Sequence, residues 1–159
     1  MYLYFGRLKM DLNNLNKTEV EELLKVLKYP KNKTTYSKIY QELTSFASSI
    51  KEDLMVYDID YDLEYKLHIY RGKYEQSRFS ISIRFKENNK HLLRLDVNPS
   101  NIHENPDGSK ITGSHYHLYS NNFEKVDRVA TPIPKGMFPN LDTIIEAFID
   151  FESYVNIKS

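Results

Sequence analysis

The chain contains no cysteine and no tryptophan, only five glycines and six prolines, and no excess of either charge. Without cysteine there is no disulfide, no cysteine–zinc site and no thiol nucleophile. The 22 basic and 22 acidic side chains exclude a uniformly cationic nucleic-acid-binding protein, although a mean of zero can conceal a local patch. No apolar run approaches the roughly 18 residues of a membrane span, and the opening MYLYFGRLKM lacks the layout of a signal peptide. A cytoplasmic protein without membrane association is the simplest expectation. Repeats, low-complexity tracts and Pro/Gly-rich linkers are also missing, so residues 1–159 read as a single domain. What is present is ordinary globular composition, 40% hydrophobic and 28% charged, in a chain long enough to bury a core.

The hydrophobic period divides the chain into three parts. Tyr2 to Leu8 forms a short apolar start compatible with a strand. Thr18 and Glu21 have capping-box spacing ahead of Val20, Leu23, Leu24 and Leu27, a helical series that Pro30 ends. After a polar loop KNKTT, a second helix fits Tyr36 to Ile50, with Ile39, Tyr40, Leu43, Phe46, Ala47 and Ile50 on one stripe. The period then changes to two, the mark of strands with one buried and one exposed face. It runs over Leu63–Tyr70, Arg78–Phe85, Leu92–Val97 and Ser114–Ser120. Asn88-Asn89 suits a hairpin turn, because asparagine tolerates positive φ. Met55 to Ile59 could add a strand, and Val129 to Ile133 an edge strand limited by Pro132 and Pro134. At the end, Asn140 is a candidate N-cap for a helix bearing Ile144, Ile145, Phe148, Phe151, Glu152 and Val155, all but Glu152 suited to the core. The expected fold class is α+β: an antiparallel sheet of about five strands, with N- and C-terminal helices packed on one face.

Strand parity then assigns the opposite face. If the apolar alternates meet the helices, the other face carries Lys66, His68, Tyr70, Arg78, Ser80, Ser82, Arg84, Arg94, Asp96, His115, His117 and Tyr119; Leu92 falls in the same alternation as Arg94 and Asp96. Histidine, arginine and tyrosine recognise phosphates, stack on bases or transfer protons. Charge follows the same division: residues 63–120 hold 9 basic and 6 acidic groups and all five histidines, net +3, between ends of −1 and −2.

His115-Tyr116-His117 is the sharpest local signal, since residues two apart on a strand point the same way, roughly 6.5–7 Å apart. Both imidazoles could serve one phosphate, one scissile bond or one metal; the plain alternative is two half-exposed histidines bonded to strand neighbours. A metal would need further ligands, for which Asp96 and His103 are the candidates, and no metal or other cofactor is expected. Arg94-x-Asp96 reads either as a cross-strand salt bridge or as a carboxylate orienting a histidine beside an anion-stabilising arginine. The long loop from Asn98 to Ile111 holds His103 and the turn Asn105-Pro106-Asp107-Gly108. Turn chemistry accounts for that tetrapeptide but not for His103. There is no phosphate loop, nucleophile elbow or helix-borne metal motif.

The series Arg94-Leu95-Asp96, His103, Asn105-Pro106-Asp107-Gly108 and His115-x-His117-x-Tyr119 resembles a family of uncharacterised small proteins of bacteria and phages. It is also distantly similar to the toxins of TumE-type toxin–antitoxin systems, whose extra histidine before the pair is Ser114 here. The resemblance implies a gene of mobile elements and defence conflict. Two functions follow as expectations. The favoured one is an anti-CRISPR-like accessory protein of a phage or mobile element. It would bind and inhibit a host defence protein or ribonucleoprotein complex, in contact with RNA, through His68, Tyr70, Arg78, Arg84, His103 and Tyr119. The alternative is an RNA-cleaving enzyme of toxin type. There His115 and His117 would be acid and base, Arg94 would stabilise charge, and Asp96 or His103 would orient them. The oligomeric state is left open.

Overall fold

The computed structural model describes residues 9–45 and 49–159. The apolar start Tyr2 to Leu8, and Phe46 and Ala47 of the expected second helix, lie outside the described residues. Among the described residues, no helix is long and apolar enough to cross a membrane.

The first helix, α1 (Lys17–Lys25), starts two residues earlier than the Thr18 spacing suggests. Asn16 accepts from the Glu19 amide, and the Glu19 side chain accepts from the Asn16 amide, so this pair forms the capping box. A short strand β1 (Lys28–Pro30) follows. Helix α2 (Lys33–Thr44) takes in most of the tract expected as a loop, because Asn32 caps it through the Thr35 amide. It ends before Ile50, which opens strand β2 (Ile50–Asp58) instead of closing a helix.

The alternating segments form β3 (Glu64–Arg71), β4 (Phe79–Phe85), β5 (His91–Val97) and β8 (His115–Leu118), with the expected turn at Asn89, φ 60°. The long loop contains its own hairpin, β6 (Ile102–Glu104) and β7 (Lys110–Thr112), turning at Gly108 with φ 85°. Strand β9 (Ala130–Pro132) is the expected edge. Helix α3 (Ile144–Tyr154) is capped by Thr143, not Asn140: the Thr143 hydroxyl accepts from the Glu146 amide.

The main sheet therefore has seven strands, β1-β2-β3-β4-β5-β8-β9, each antiparallel to its neighbours, with β6-β7 as a separate pair. The count exceeds five because β1, three residues long, shows no period, and because both candidate strands, Met55–Ile59 and Val129–Ile133, form, within β2 and at β9. The α+β class and the helix-covered face hold. Tyr65, Leu67, Ile69, Ile81, Ile83, Leu93 and Leu95 join Leu23, Ile39, Leu43, Phe148 and Phe151 in one buried cluster.

Two residues break the expected parity for one reason. Ile83 pairs with Leu93 and Arg84 with His91, so Leu92 is the extra residue of a β-bulge. The bulge turns Leu92 inward, fully buried, and brings Tyr119, whose amide donates to the Leu92 carbonyl, into the core with it. Tyr119 is thus not a residue of the polar face. Its hydroxyl donates to the Leu12 carbonyl at 2.8 Å and its ring packs on Phe85. Glu152 also departs from expectation. It is buried, and the hydroxyls of Tyr36 and Tyr40 donate to its carboxylate, which burial holds above the usual carboxylate range.

Both outermost strands of the sheet are short and end in proline: Pro30 in β1 and Pro132 in β9. Along β1, a parallel bridge joins Lys28 to Ile157.

Candidate functional site

Register places the polar residues in rows across the sheet. Asp53, His68, Ser82, Arg94 and His117 form one row; Lys51, Tyr70, Ser80, Asp96 and His115 form the next. Residues directly opposite share a face, so the pairs Arg94–His117 and Asp96–His115 bring all four candidates into contact.

Asp96 is the hub. Its Oδ2 accepts from Arg94 Nε at 3.0 Å and lies 3.4 Å from Nε2 of both His115 and His117. Arg94 also reaches His117 Nε2 through Nη2 at 3.0 Å, and Asp127 Oδ2 through Nη1 at 2.9 Å. Asp127 is buried and lies 3.2 Å from His91. Burial pushes the Asp96 carboxyl up, but contact with His115 and His117 and the Arg94 charge together outweigh it and hold the group well below the usual range. The His91 contact, against burial, lowers Asp127 to about 2. His115 is raised, first by Asp96, then opposed by burial and supported by the Gly113 carbonyl, to which Nδ1 bonds at 3.0 Å.

The β6–β7 hairpin folds over this end of the sheet and delivers His103. Its ring centroid lies 5.5 Å from that of His115 and 5.1 Å from that of His117. Burial and the two neighbouring imidazoles lower its pKa. What docks the hairpin is Asn105: its amide nitrogen donates to the Ala130 carbonyl at 2.9 Å and its amide oxygen accepts from the Ala130 nitrogen at 2.8 Å. The NPDG tetrapeptide is therefore more than a turn. Asn105→Ala is expected to cost about 1–2 kcal/mol, by loss of this two-bond dock. Amide exchange should accelerate across residues 102–112 while β3 and β4 keep their protection; equal acceleration everywhere would refute the local role.

The site is closed. His115 and His117 are each 1% exposed, not half-exposed strand histidines. The remaining expected binding residues spread outward from it. His68 pairs with Asp53 at 2.7 Å, and Arg84 lies opposite Lys66 and His91, both away from the three-imidazole group. Tyr70 and Arg78, both exposed, line a cavity of about 670 Å³ with Lys73, Tyr74, Ser80 and Asn98. Arg78 precedes β4 and pairs loosely with Glu75 at 3.5 Å. Asp96 borders this cavity too, and so connects it to the histidines.

Sequence reasoning missed Asp127, Asn105, Lys73 and Tyr74. Asp127 lies in an aperiodic loop, and nothing in its neighbours announces a buried partner. Tyr74 was findable as an aromatic beside a basic residue in a hairpin loop: Lys73 Nζ stands 5.6 Å from its ring centroid.

Among known families, the one described as "Family of unknown function (DUF6978)" matches residues 15–157. No curated protein and no solved structure matches the chain.

Proposed function

Since the chain belongs to a family of unknown function that spans residues 15–157, its role rests on the site itself, and we propose that it acts by binding, not cleaving, RNA. In this reading it is an accessory protein of a phage or mobile element that occupies the RNA of a host defence ribonucleoprotein, in the manner of an anti-CRISPR. One observation carries the reading: the acid–base candidates are sealed while the aromatic and basic groups beside them are open. His115 and His117 are buried and tied to Asp96, whereas Tyr70 and Tyr74 are 48% and 91% exposed around a cavity flanked by Lys73 and Arg78. Exposed rings next to cations suit stacked bases and a phosphate backbone.

Fluorescence anisotropy with a single-stranded RNA oligonucleotide tests this. Tyr70→Ala and Tyr74→Ala are each expected to weaken binding by about 1–3 kcal/mol, roughly tenfold or more. Arg78→Ala should flatten the dependence on salt, and Lys33→Ala, on α2, should change neither. RNA affinity unaffected by both tyrosine changes would sink the proposal.

The toxin-type alternative has in its favour that Arg94, Asp96, His115 and His117 meet in one cluster. It requires RNA to reach two closed rings. Cleavage of RNA by the pure protein, abolished by His115→Ala and His117→Ala with the fold retained, would establish it over the binding reading.

A further inference from the structure

Three imidazoles converge at the closed end of the sheet, and we infer that His103, His115 and His117 bind one divalent transition-metal ion of the zinc class. One ring nitrogen from each lies within 4.8 Å of the other two. The ring centroids are separated by 5.0, 5.1 and 5.5 Å. A tetrahedral ion with Zn–N bonds of about 2.0–2.1 Å places neighbouring imidazole centroids roughly 5.2 Å apart. The three rings thus stand at the spacing that the ion requires, and modest ring rotation closes the nitrogens onto it.

The hydrogen bonds say which nitrogens are available. Histidine ligands usually donate their second ring N–H to a carbonyl or carboxylate, which fixes ring and tautomer. His115 already meets that condition, and the contacts of the other two show which nitrogens are open to an ion. His115 Nδ1 faces the Gly113 carbonyl at 3.0 Å, leaving Nε2. His103 Nε2 is buried without a partner among the described residues. His117 Nδ1 is likewise buried without a partner, while its Nε2 faces Arg94 Nη2 at 3.0 Å and lies 3.4 Å from the Asp96 carboxylate. Two orphaned ring nitrogens in one cluster are costly as they stand, since each is removed from water with nothing in exchange. A metal ion satisfies both at once. Binding at His117 Nδ1 moves the ring proton to Nε2, which then donates to Asp96 in exchange for the Arg94 Nη2 contact, while Arg94 keeps its bonds to Asp96 and Asp127.

The donor set narrows the ion. Three imidazoles suit Zn²⁺, Co²⁺, Ni²⁺ or Cu²⁺; Mg²⁺ and Ca²⁺ take oxygen ligands. Three protein ligands leave a tetrahedral ion one position for solvent or an anion, the pattern of reactive rather than purely structural zinc sites. The expectation of no metal rests on two strand imidazoles; the hairpin supplies the third. RNA binding by the open groove does not depend on this ion, so the two proposals stand or fall separately.

The test uses the full chain stripped with a chelator and titrated with Zn²⁺ by calorimetry and with Co²⁺ by visible absorption. One equivalent of each is expected to bind, with the intense absorption of tetrahedral Co²⁺. His103→Ala should abolish saturable binding, and because His103 sits on the hairpin outside the core, its melting without metal should match the wild type. Asp96→Asn should weaken Zn²⁺ binding by about 10–100-fold, and His68→Ala should leave it unchanged. In wild-type protein, Zn²⁺ should move the ring signals of His103, His115 and His117 and not those of His68, a readout independent of any variant. No saturable binding of either ion, wild-type affinity in His103→Ala, or ring shifts confined to His68 and His91 would overturn the assignment.

Discussion

Lys28→Met should destabilise the protein by about 3–5 kcal/mol, the scale of removing one member of a buried, hydrogen-bonded ion pair. Lys28 is fully buried, and its ammonium donates to the carbonyls of Leu23 (2.6 Å), Val155 (2.7 Å), Val26 (3.0 Å) and, more distantly, Leu24 (3.3 Å). These are the carbonyls that the ends of α1 and α3 leave without intrahelical partners, and the negative ends of both helix dipoles converge there. Methionine keeps the volume and removes every donor. It also leaves Asp58, opposite Lys28 in the sheet and 1% exposed, without its neighbouring cation. Thermal melting should fall by roughly 10 °C for a chain of this size; a shift of about 2 °C or less would show that the carbonyls are otherwise satisfied. Burial, with Asp58 opposing, lowers the Lys28 pKa to about 7 from 10.5. The unfolded chain therefore holds this proton more tightly, and stability rises with pH between those values. The advantage of wild type over Lys28→Met should accordingly widen from pH 7 to about pH 10.

Asp96→Asn is expected to have the next largest effect, about 3 kcal/mol at neutral pH, because it leaves Arg94 and two buried imidazoles facing an uncharged amide. Asp96 is held well below the usual carboxylate range in the folded protein, so its contribution is present above about pH 4 and disappears as acid titrates the folded group. His115 has the opposite sign: its raised pKa adds stability below 6.5 that is lost as pH rises through the folded value. His103, lowered by burial, withdraws stability as pH falls below 6.5, which offsets His115. Histidine NMR titrations of metal-free protein separate these influences. In wild type His115 should titrate above the ordinary histidine value. In Asp96→Asn it should drop, since burial then dominates over the Gly113 carbonyl. An unchanged His115 titration would remove Asp96 from its central place.

Period-two alternation was enough to read β3, β4, β5 and β8, and through them the shared face of Arg94, Asp96, His115 and His117. The information is local there, because each strand's pattern records which side meets the core. The misreadings at Leu92 and Tyr119 arise where one inserted residue shifts parity, and a bulge leaves no trace in a hydrophobic pattern. Helix limits were misjudged where two capping sequences competed, as with Asn16 against Thr18 and Thr143 against Asn140. Buried polar groups were the least legible. Lys28, Asp127 and Glu152 look like surface residues until distant partners supply their hydrogen bonds. His103 was suspected only because turn chemistry could not account for it; that it joins His115 and His117 depends on the Asn105–Ala130 dock, which joins two segments 25 positions apart.

The two flanks of the sheet bear on how a partner can approach. An open flank of unpaired amides and carbonyls invites another extended chain to add itself as a further strand, in recognition or in aggregation. Here the outermost strand on each flank is only three residues long, the last of them a proline that cannot donate. The C-terminal segment additionally occupies β1 at Lys28. Strand addition along β1 and β9, and with it fibril-like self-association through these two strands, is thereby disfavoured.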